Sequence, residues 1–385
     1  MKSGNHQLIE FIRAKIEKGP VSFAWFMEQA LYHPEHGYYS SARARLGRGG
    51  DYFTNVSVGS VFGKLLALQF NQIWQELGRP RELIIVEQGA HDGALACDVL
   101  TALATDSQAC FDSVRYRIIE PFPILRGRQM HSLSKFSDRI EWFGALEAIE
   151  PFVGIHFSNE LLDAMPVHLV RSAEANGPNR SRKWLEKFVD WQNDRFGFVE
   201  QPVADVRLRE QLQELPAVPP GFEMEINLAV LDWIEGLSQK LRRGYVLIVD
   251  YGFGKQGLSA LRHRAGTLQC RAEHRLIDSP FDCVGNGDIT AHVYWTGVAE
   301  HAQNRNLDIA GFADQHHFLA GIISEHQELV EPNDPKVRRQ LQTLLHPEMM
   351  GRSFQVLGLS RGIDPGVTLS GFKFARPTRQ QLGIG

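Results

Sequence analysis

The stretch Leu83-Ile84-Ile85-Val86-Glu87-Gln88-Gly89-Ala90-His91-Asp92-Gly93-Ala94-Leu95-Ala96 decides how the rest of the chain is read. It opens on four apolar residues, three of them β-branched. Such a run predicts a buried strand, parallel to its neighbours and covered on both faces. An acid and two glycines follow. Apolar residues then return at helical spacing over 94–103, rich in Ala and Leu, both strong helix formers. Strand, glycine turn and helix open a nucleotide-binding βαβ unit, in which glycine allows a sharp turn and close approach of a ligand to bare backbone.

Downstream, Tyr116-Arg117-Ile118-Ile119-Glu120 predicts a second strand ending in an acid. It lies one βα unit beyond Glu87, where dinucleotide folds place the acid that takes ribose hydroxyls. Residues 121–135 suit the next helix and 140–143 a short strand. Residues 152–158 predict another strand, which runs into Asn159-Glu160-Leu161-Leu162-Asp163-Ala164-Met165-Pro166. Polar groups at the C-terminal ends of parallel strands are where open α/β sheets bind ligands. A helix starting at Asn159 would set Glu160 and Asp163 on one face. The same residues also read as a plain helix cap with acids favouring the N-terminus. Residues 244–252 predict one more buried strand, ending at Asp250.

Upstream, 5–18 predicts an amphipathic helix, and Ser22 caps a second helix through Leu31. A long loop with His33, His36 and the run Gly47-Arg48-Gly49-Gly50-Asp51-Tyr52-Phe53-Thr54 follows. Long loops of this kind are often functional. Residues 60–77 are helical in pattern. Residues 171–222 leave the βα pattern, with a hairpin expected around Asn193-Asp194. Helices are expected at 228–241, 288–302, 312–323 and 337–345, closing strands at 352–359 and 371–375, and loop over most of 253–290. The expected organisation is therefore an N-terminal stretch, 1–80, of helices and a lid-like loop, then an α/β domain over 81–385 with insertions near 171–222 and 253–345.

Bulk properties narrow the function classes. The 385 residues are 43% hydrophobic and 22% charged with a net charge of −4, an ordinary globular balance that gives no support for a non-specific nucleic-acid binder. Four cysteines without a CxxC pair suit a reduced compartment. No apolar run approaches the roughly 20 residues of a membrane helix, and the N-terminus lacks a signal-peptide core, so a cytoplasmic protein without membrane insertion is expected. His33 and His36 have no matching cluster, so no metal is expected. No GxxxxGK[ST] occurs, which excludes a P-loop, and His91 interrupts any GxGxxG fingerprint. Gly358-Leu359-Ser360-Arg361-Gly362 matches the nucleophile-elbow pattern, but Ile363-Asp364-Pro365 follows it and no histidine lies beyond Ser360. By itself, Glu87-x-Gly89-x-x-x-Gly93 reads either as a cofactor site of methyltransferase type or as a plain tight turn.

Several ordered blocks resolve that choice by resemblance: His36-Gly37-Tyr38-Tyr39, residues 49–54, Phe62-Gly63, the 87–95 turn, Glu120-Pro121, residues 158–166, Asp250-Tyr251-Gly252, Gly266-Thr267-Leu268 and residues 287–293. In these the chain resembles the MidA-type S-adenosylmethionine-dependent methyltransferases, which include a mitochondrial complex I assembly factor. The resemblance runs from about residue 20 to the C-terminal strands and departs at His91, often glycine in the family, and at Gln88, usually apolar. It implies a Rossmann-like class I methyltransferase sheet with an N-terminal helical segment and insertions. It implies S-adenosyl-L-methionine as cofactor, bound by Glu87, Gly89, Ala90, Gly93, Glu120, Asn159, Gly50 and Thr54. It also implies a protein side chain, arginine, as methyl acceptor; a cationic guanidinium needs a carboxylate pair, and the acidic cluster after the fourth strand makes Glu160, with Asp163 or Asp51, the expected pair. Residues 49–54 are expected to close over the cofactor. A non-catalytic assembly protein retaining the fold, and a nucleotide-dependent oxidoreductase, are the alternatives.

Overall fold

The computed structural model describes residues 4–41, 54–173, 183–258, 266–272, 275–326, 329 and 334–384. The chain divides into two compact units. One comprises residues 1–45, 162–232 and 253–293; the other comprises 46–161, 233–252 and 294–385. The expected boundary at residue 80 thus falls inside the second unit. The 171–222 excursion lies wholly in the first, and the 253–345 stretch is shared between them.

The second unit is built on a mixed sheet. Its main strands are β1 (Leu83–Gln88), β2 (Val114–Ile119), β3 (Ile140–Phe143), β4 (Phe152–Asn159), β5 (Leu241–Phe253), β6 (Asp308–Asp314) and β7 (Phe354–Arg361). Their spatial order is β3-β2-β1-β4-β5-β7-β6. The first five pair in parallel, while β7 runs antiparallel to both β5 and β6. The four apolar residues that open β1 are all buried, as a parallel strand with both faces covered requires. The core gathers the helix Val61–Glu76 (through Phe62, Leu65, Leu66, Phe70 and Ile73), the helix Ala94–Asp106 (through Leu95, Val99, Leu100 and Leu103), and the strands' Ile85, Tyr116, Ile155 and Leu247.

In the first unit, helix His6–Ile16 is capped by Asn5, whose side chain accepts from the N–H groups of Gln7 and Leu8. Helix Phe23–Tyr32 is capped by Ser22, as expected, through Trp25 N–H. These helices pack on an antiparallel sheet ordered Val21–Ser22, Lys183–Gln192, His168–Ala173, Glu223–Ile226, with Arg195–Pro202 paired to Lys183–Gln192. The expected hairpin turns at Asn193 (φ 53°) and Asp194 (φ 58°), both left-handed, the geometry of a two-residue type I′ loop.

Four local expectations are corrected. Among the described residues of 253–290 there are three short strands, with Gln269–Ala272 paired to both Arg275–Ile277 and Asp288–Thr290. The helix expected from 288 begins only at Trp295. The helix expected from Phe312 is the second half of β6 followed by a helix over Gln315–Ser324. The closing strand expected at 371–375 is a single 3-10 turn, Ser370–Phe372. Ser360 lies within strand β7, so the 358–362 pattern forms no nucleophile elbow.

Candidate active site

The register of the parallel strands assembles the site. Gln88, the last residue of β1, pairs with Ile119 of β2 on one side and Ser158 of β4 on the other. One residue further along each strand stand Gly89, Glu120 and Asn159. Three positions far apart in sequence thus meet at the C-terminal edge of the sheet, where the strand order reverses about β1. Crevices at such a switch point are where open α/β sheets bind ligands. On the far side of β4, Asn159 pairs with Val249, which brings Asp250 beside Glu160.

The turn after β1 is tight. Gly89 (φ 83°), His91 (φ 47°) and Gly93 (φ 81°) are all left-handed. Gly93 is the N-cap of the helix Ala94–Asp106, and its N–H donates to the Ala90 carbonyl at 2.8 Å. A Cβ at Gly93 would stand 2.9 Å from Ser132 Oγ and 3.0 Å from Leu133 Cδ1, so glycine is required by both conformation and space. Histidine is among the few non-glycine residues enriched at positive φ, which is how His91 holds this left-handed place without being glycine. Both its ring nitrogens are buried without a hydrogen-bond partner among the described residues, and Nδ1 stays 3.9 Å from Asp92 Oδ1. Ala90 is buried in the turn.

Glu87 lies beneath the turn, 2% exposed, and its Oε2 accepts from Tyr116 Oη at 2.7 Å. Burial pushes its carboxyl up to about 7, against the lowering effect of that hydrogen bond. Gln88 spends its polarity on Trp233, whose Nε1 donates to Gln88 Oε1 at 2.8 Å.

Glu120 is 6% exposed. Its Oε1 accepts from Phe122 N–H and its Oε2 from Gln129 Nε2, both at 2.9 Å. Burial raises its carboxyl above the ordinary value, opposed by these two donors and by His91. Gln129, not singled out in the sequence, joins the parts: its Nε2 also donates to the His91 carbonyl at 2.9 Å. A glutamine facing inward from a polar helix such as Pro123–Ser132 was the only signal available, and it is a weak one.

Asn159 carries a second network. Its Nδ2 donates to Glu160 Oε1 at 2.9 Å, and its Oδ1 accepts from Asn55 Nδ2 at 3.1 Å. Asn55, also missed from sequence, is fully buried at the start of the short helix Asn55–Val58, and its Oδ1 has no partner among the described residues. Thr54 caps that helix in a reciprocal pair with Ser57. Glu160 has φ 52°. That left-handed residue stops a right-handed helix, and 161–165 form a turn instead, so the helical placement of Glu160 with Asp163 does not hold. Asp163 belongs to the first unit, where its carbonyl accepts from Ala291 N–H at 2.8 Å. Gly50 and Asp51 lie outside the described residues.

The donor set suits a nucleoside-bearing cofactor such as S-adenosylmethionine. It offers a left-handed glycine turn, a carboxylate at the end of β2, and buried ring nitrogens and an amide oxygen that no described residue satisfies. Among the described residues no group of three His, Cys, Asp or Glu side chains is arranged to hold a metal ion.

Known proteins place the chain. The protein arginine methyltransferase NDUFAF7 of human mitochondria is 27% identical over 395 residues, covering 94% of this chain and 84% of that protein. Its Drosophila melanogaster homologue is 26% identical, covering 94% and 86%. A crystal structure of a COG1565 superfamily member from Burkholderia thailandensis, bound to S-adenosyl-homocysteine, is 31% identical with a TM-score of 0.84, covering 96% of both chains. Residues 65–313 match the model of a family described as S-adenosyl-L-methionine-dependent methyltransferases. With a matching fold and a cofactor-type turn at the switch point of its sheet, the chain belongs to that family of S-adenosyl-L-methionine-dependent methyltransferases.

Proposed function

We propose that the protein methylates a protein side chain, an arginine guanidinium, with Glu160 as the carboxylate that faces the acceptor. The observation that carries this reading is the backbone of Glu160. A non-glycine residue at φ 52° costs on the order of 1 kcal/mol or more. The structure keeps that conformation while Asn159 Nδ2 holds the carboxylate and Glu160 N–H donates to the Val249 carbonyl at 2.9 Å. Such outliers cluster at working sites. The names of the mitochondrial relatives support arginine as the acceptor class.

When bound, S-adenosylmethionine supplies a methyl group made electrophilic by its sulfonium. The chain's own work is then alignment and charge placement. Gly89, Ala90 and Gly93 would let the cofactor approach bare backbone, and Glu120 would hold the ribose hydroxyls. Asn159 would lie near the methyl donor; its side chain orients Glu160, and Asn55 orients Asn159. Glu160 pairs with the cationic acceptor and can receive the proton its nitrogen sheds. Thr54 acts by fixing the helix that carries Asn55.

Replacing Glu160 with Gln tests this reading. Methyl transfer to protein in a lysate supplied with labelled cofactor should fall on the order of 100-fold, in the range seen for loss of one transition-state partner. Affinity for S-adenosylhomocysteine should change little. Unchanged transfer, or label recovered on something other than arginine in the hydrolysed product, would overturn it.

A further inference from the structure

Gln129 is fully buried and every polar atom of its side chain is engaged. Its Oε1 accepts from Trp142 Nε1 at 3.0 Å. An indole N–H can only donate, so it fixes which end of the amide faces it. The Nε2 end must then face the other way, toward two acceptors at 2.9 Å, the His91 carbonyl and Glu120 Oε2. An amide nitrogen has two hydrogens, one for each. We propose that Gln129 is a positioning residue of the cofactor site: with its orientation set by Trp142, it fixes the Glu120 carboxylate against the 89–93 turn so that both carboxylate oxygens are presented to a vicinal diol.

The geometry supports more than a filler role. Each Glu120 oxygen has one internal donor, Phe122 N–H on Oε1 and Gln129 Nε2 on Oε2. Two donors on two oxygens define the plane of the group and leave accepting capacity on each oxygen for a ligand. A carboxylate held in this way is already ordered before the ligand arrives, so binding does not have to order it. The same amide ties the carbonyl of left-handed His91 to that carboxylate, so turn and acid are set in one frame. An apolar residue would fill the space but supply neither hydrogen. Among the described residues the ionisable group that faces the Glu120 charge is His91, from the turn, and Phe122 N–H and Gln129 stabilise its ionised form.

This inference rests on the reading that Glu120 takes the ribose hydroxyls, and the test separates the two. Binding of S-adenosylhomocysteine and of its 2′-deoxyribose analogue to the full chain is measured calorimetrically across pH. The wild type should prefer the ribose ligand by about tenfold or more, the worth of a hydrogen bond to a charged group. In Gln129→Leu the preference should shrink to about threefold or less. The acid limb of binding should also move to higher pH, because a donor favouring ionised Glu120 is gone. Trp142→Phe keeps the amide but removes the group that orients it, and should lose part of the preference even if Gln129→Leu fails to fold. Glu120→Ala should abolish the preference. If it does not, the ribose reading fails and this inference with it. If Glu120→Ala abolishes the preference while the Gln129 or Trp142 variants weaken both ligands equally with an unmoved acid limb, only the positioning role is overturned.

Discussion

Glu87 shows what one residue's surroundings do to its chemistry. The sequence places an acid ahead of a glycine turn, and the resemblance suggests that it holds the cofactor. The strand's alternation instead turns its carboxyl inward to Tyr116, with 2% exposure. Burial lifts its carboxyl from 4.5 to about 7, so between those values the folded state holds a proton that the unfolded chain has released. Its contribution to stability is fully present below about 4.5 and is lost as pH rises through about 7. Glu87→Gln should therefore flatten the fall in stability across that window. The variant should be the more stable protein at pH 8, by on the order of 3 kcal/mol. Thermal melts of both proteins from pH 5 to 8 check this, and parallel curves would refute it. The acid's presence was legible in the sequence; the direction of its carboxyl and its partner were not, because Tyr116 lies 29 residues away on another strand.

Among the elements, the turn and its helix were read correctly because their determinants are local. Gly93 supplies a left-handed N-cap, and Asp92 Oδ1 accepts from Ala94 N–H at 3.1 Å. Gly93→Ala introduces a Cβ at φ 81°, 2.9 Å from Ser132 Oγ. It should cost roughly 1–3 kcal/mol in urea denaturation and weaken S-adenosylhomocysteine binding; an unchanged midpoint would argue against a strained turn. Strand β6 shows where local reading failed. Ile309-Ala310-Gly311-Phe312-Ala313 is apolar without alternation, and a short run of that kind has no period to separate a buried strand from a helix. Its partner β7 decides the matter, with Phe312 opposite Leu357 and Ala313 opposite Val356. The true helix start was marked locally by Asp314, whose side chain accepts from His317 N–H.

At the scale of the whole molecule, distant segments satisfy one another's polar groups. Within the first unit, Glu225 is buried and accepts from Thr267 N–H at 2.8 Å, Thr267 Oγ1 at 2.9 Å and Leu268 N–H at 3.1 Å. This explains the Gly266-Thr267-Leu268 block: Gly266 (φ 78°) lets the chain pass where a Cβ would meet the Glu225 carboxylate. Glu225→Ala strands three donors at once and should destabilise the protein by about 3 kcal/mol or more. Urea denaturation would show this as a lower midpoint, and a shift under about 1 kcal/mol would mean the donors find other acceptors.

The sequence by itself determined the strand-turn-helix opening, most helices, the hairpin at Asn193-Asp194 and the family blocks. Each depends on residues within a turn or two of one another, where spacing, capping and allowed φ act directly. Only the tertiary structure decided the site. Register between β1, β2 and β4 sets Gly89, Glu120 and Asn159 side by side. Gln129 reaches the His91 carbonyl across 38 positions, and Asn55 reaches Asn159 across 104. Nothing in the local pattern of a glutamine or an asparagine says which distant partner it will meet. Strand pairing and the need to satisfy buried polar groups make that choice.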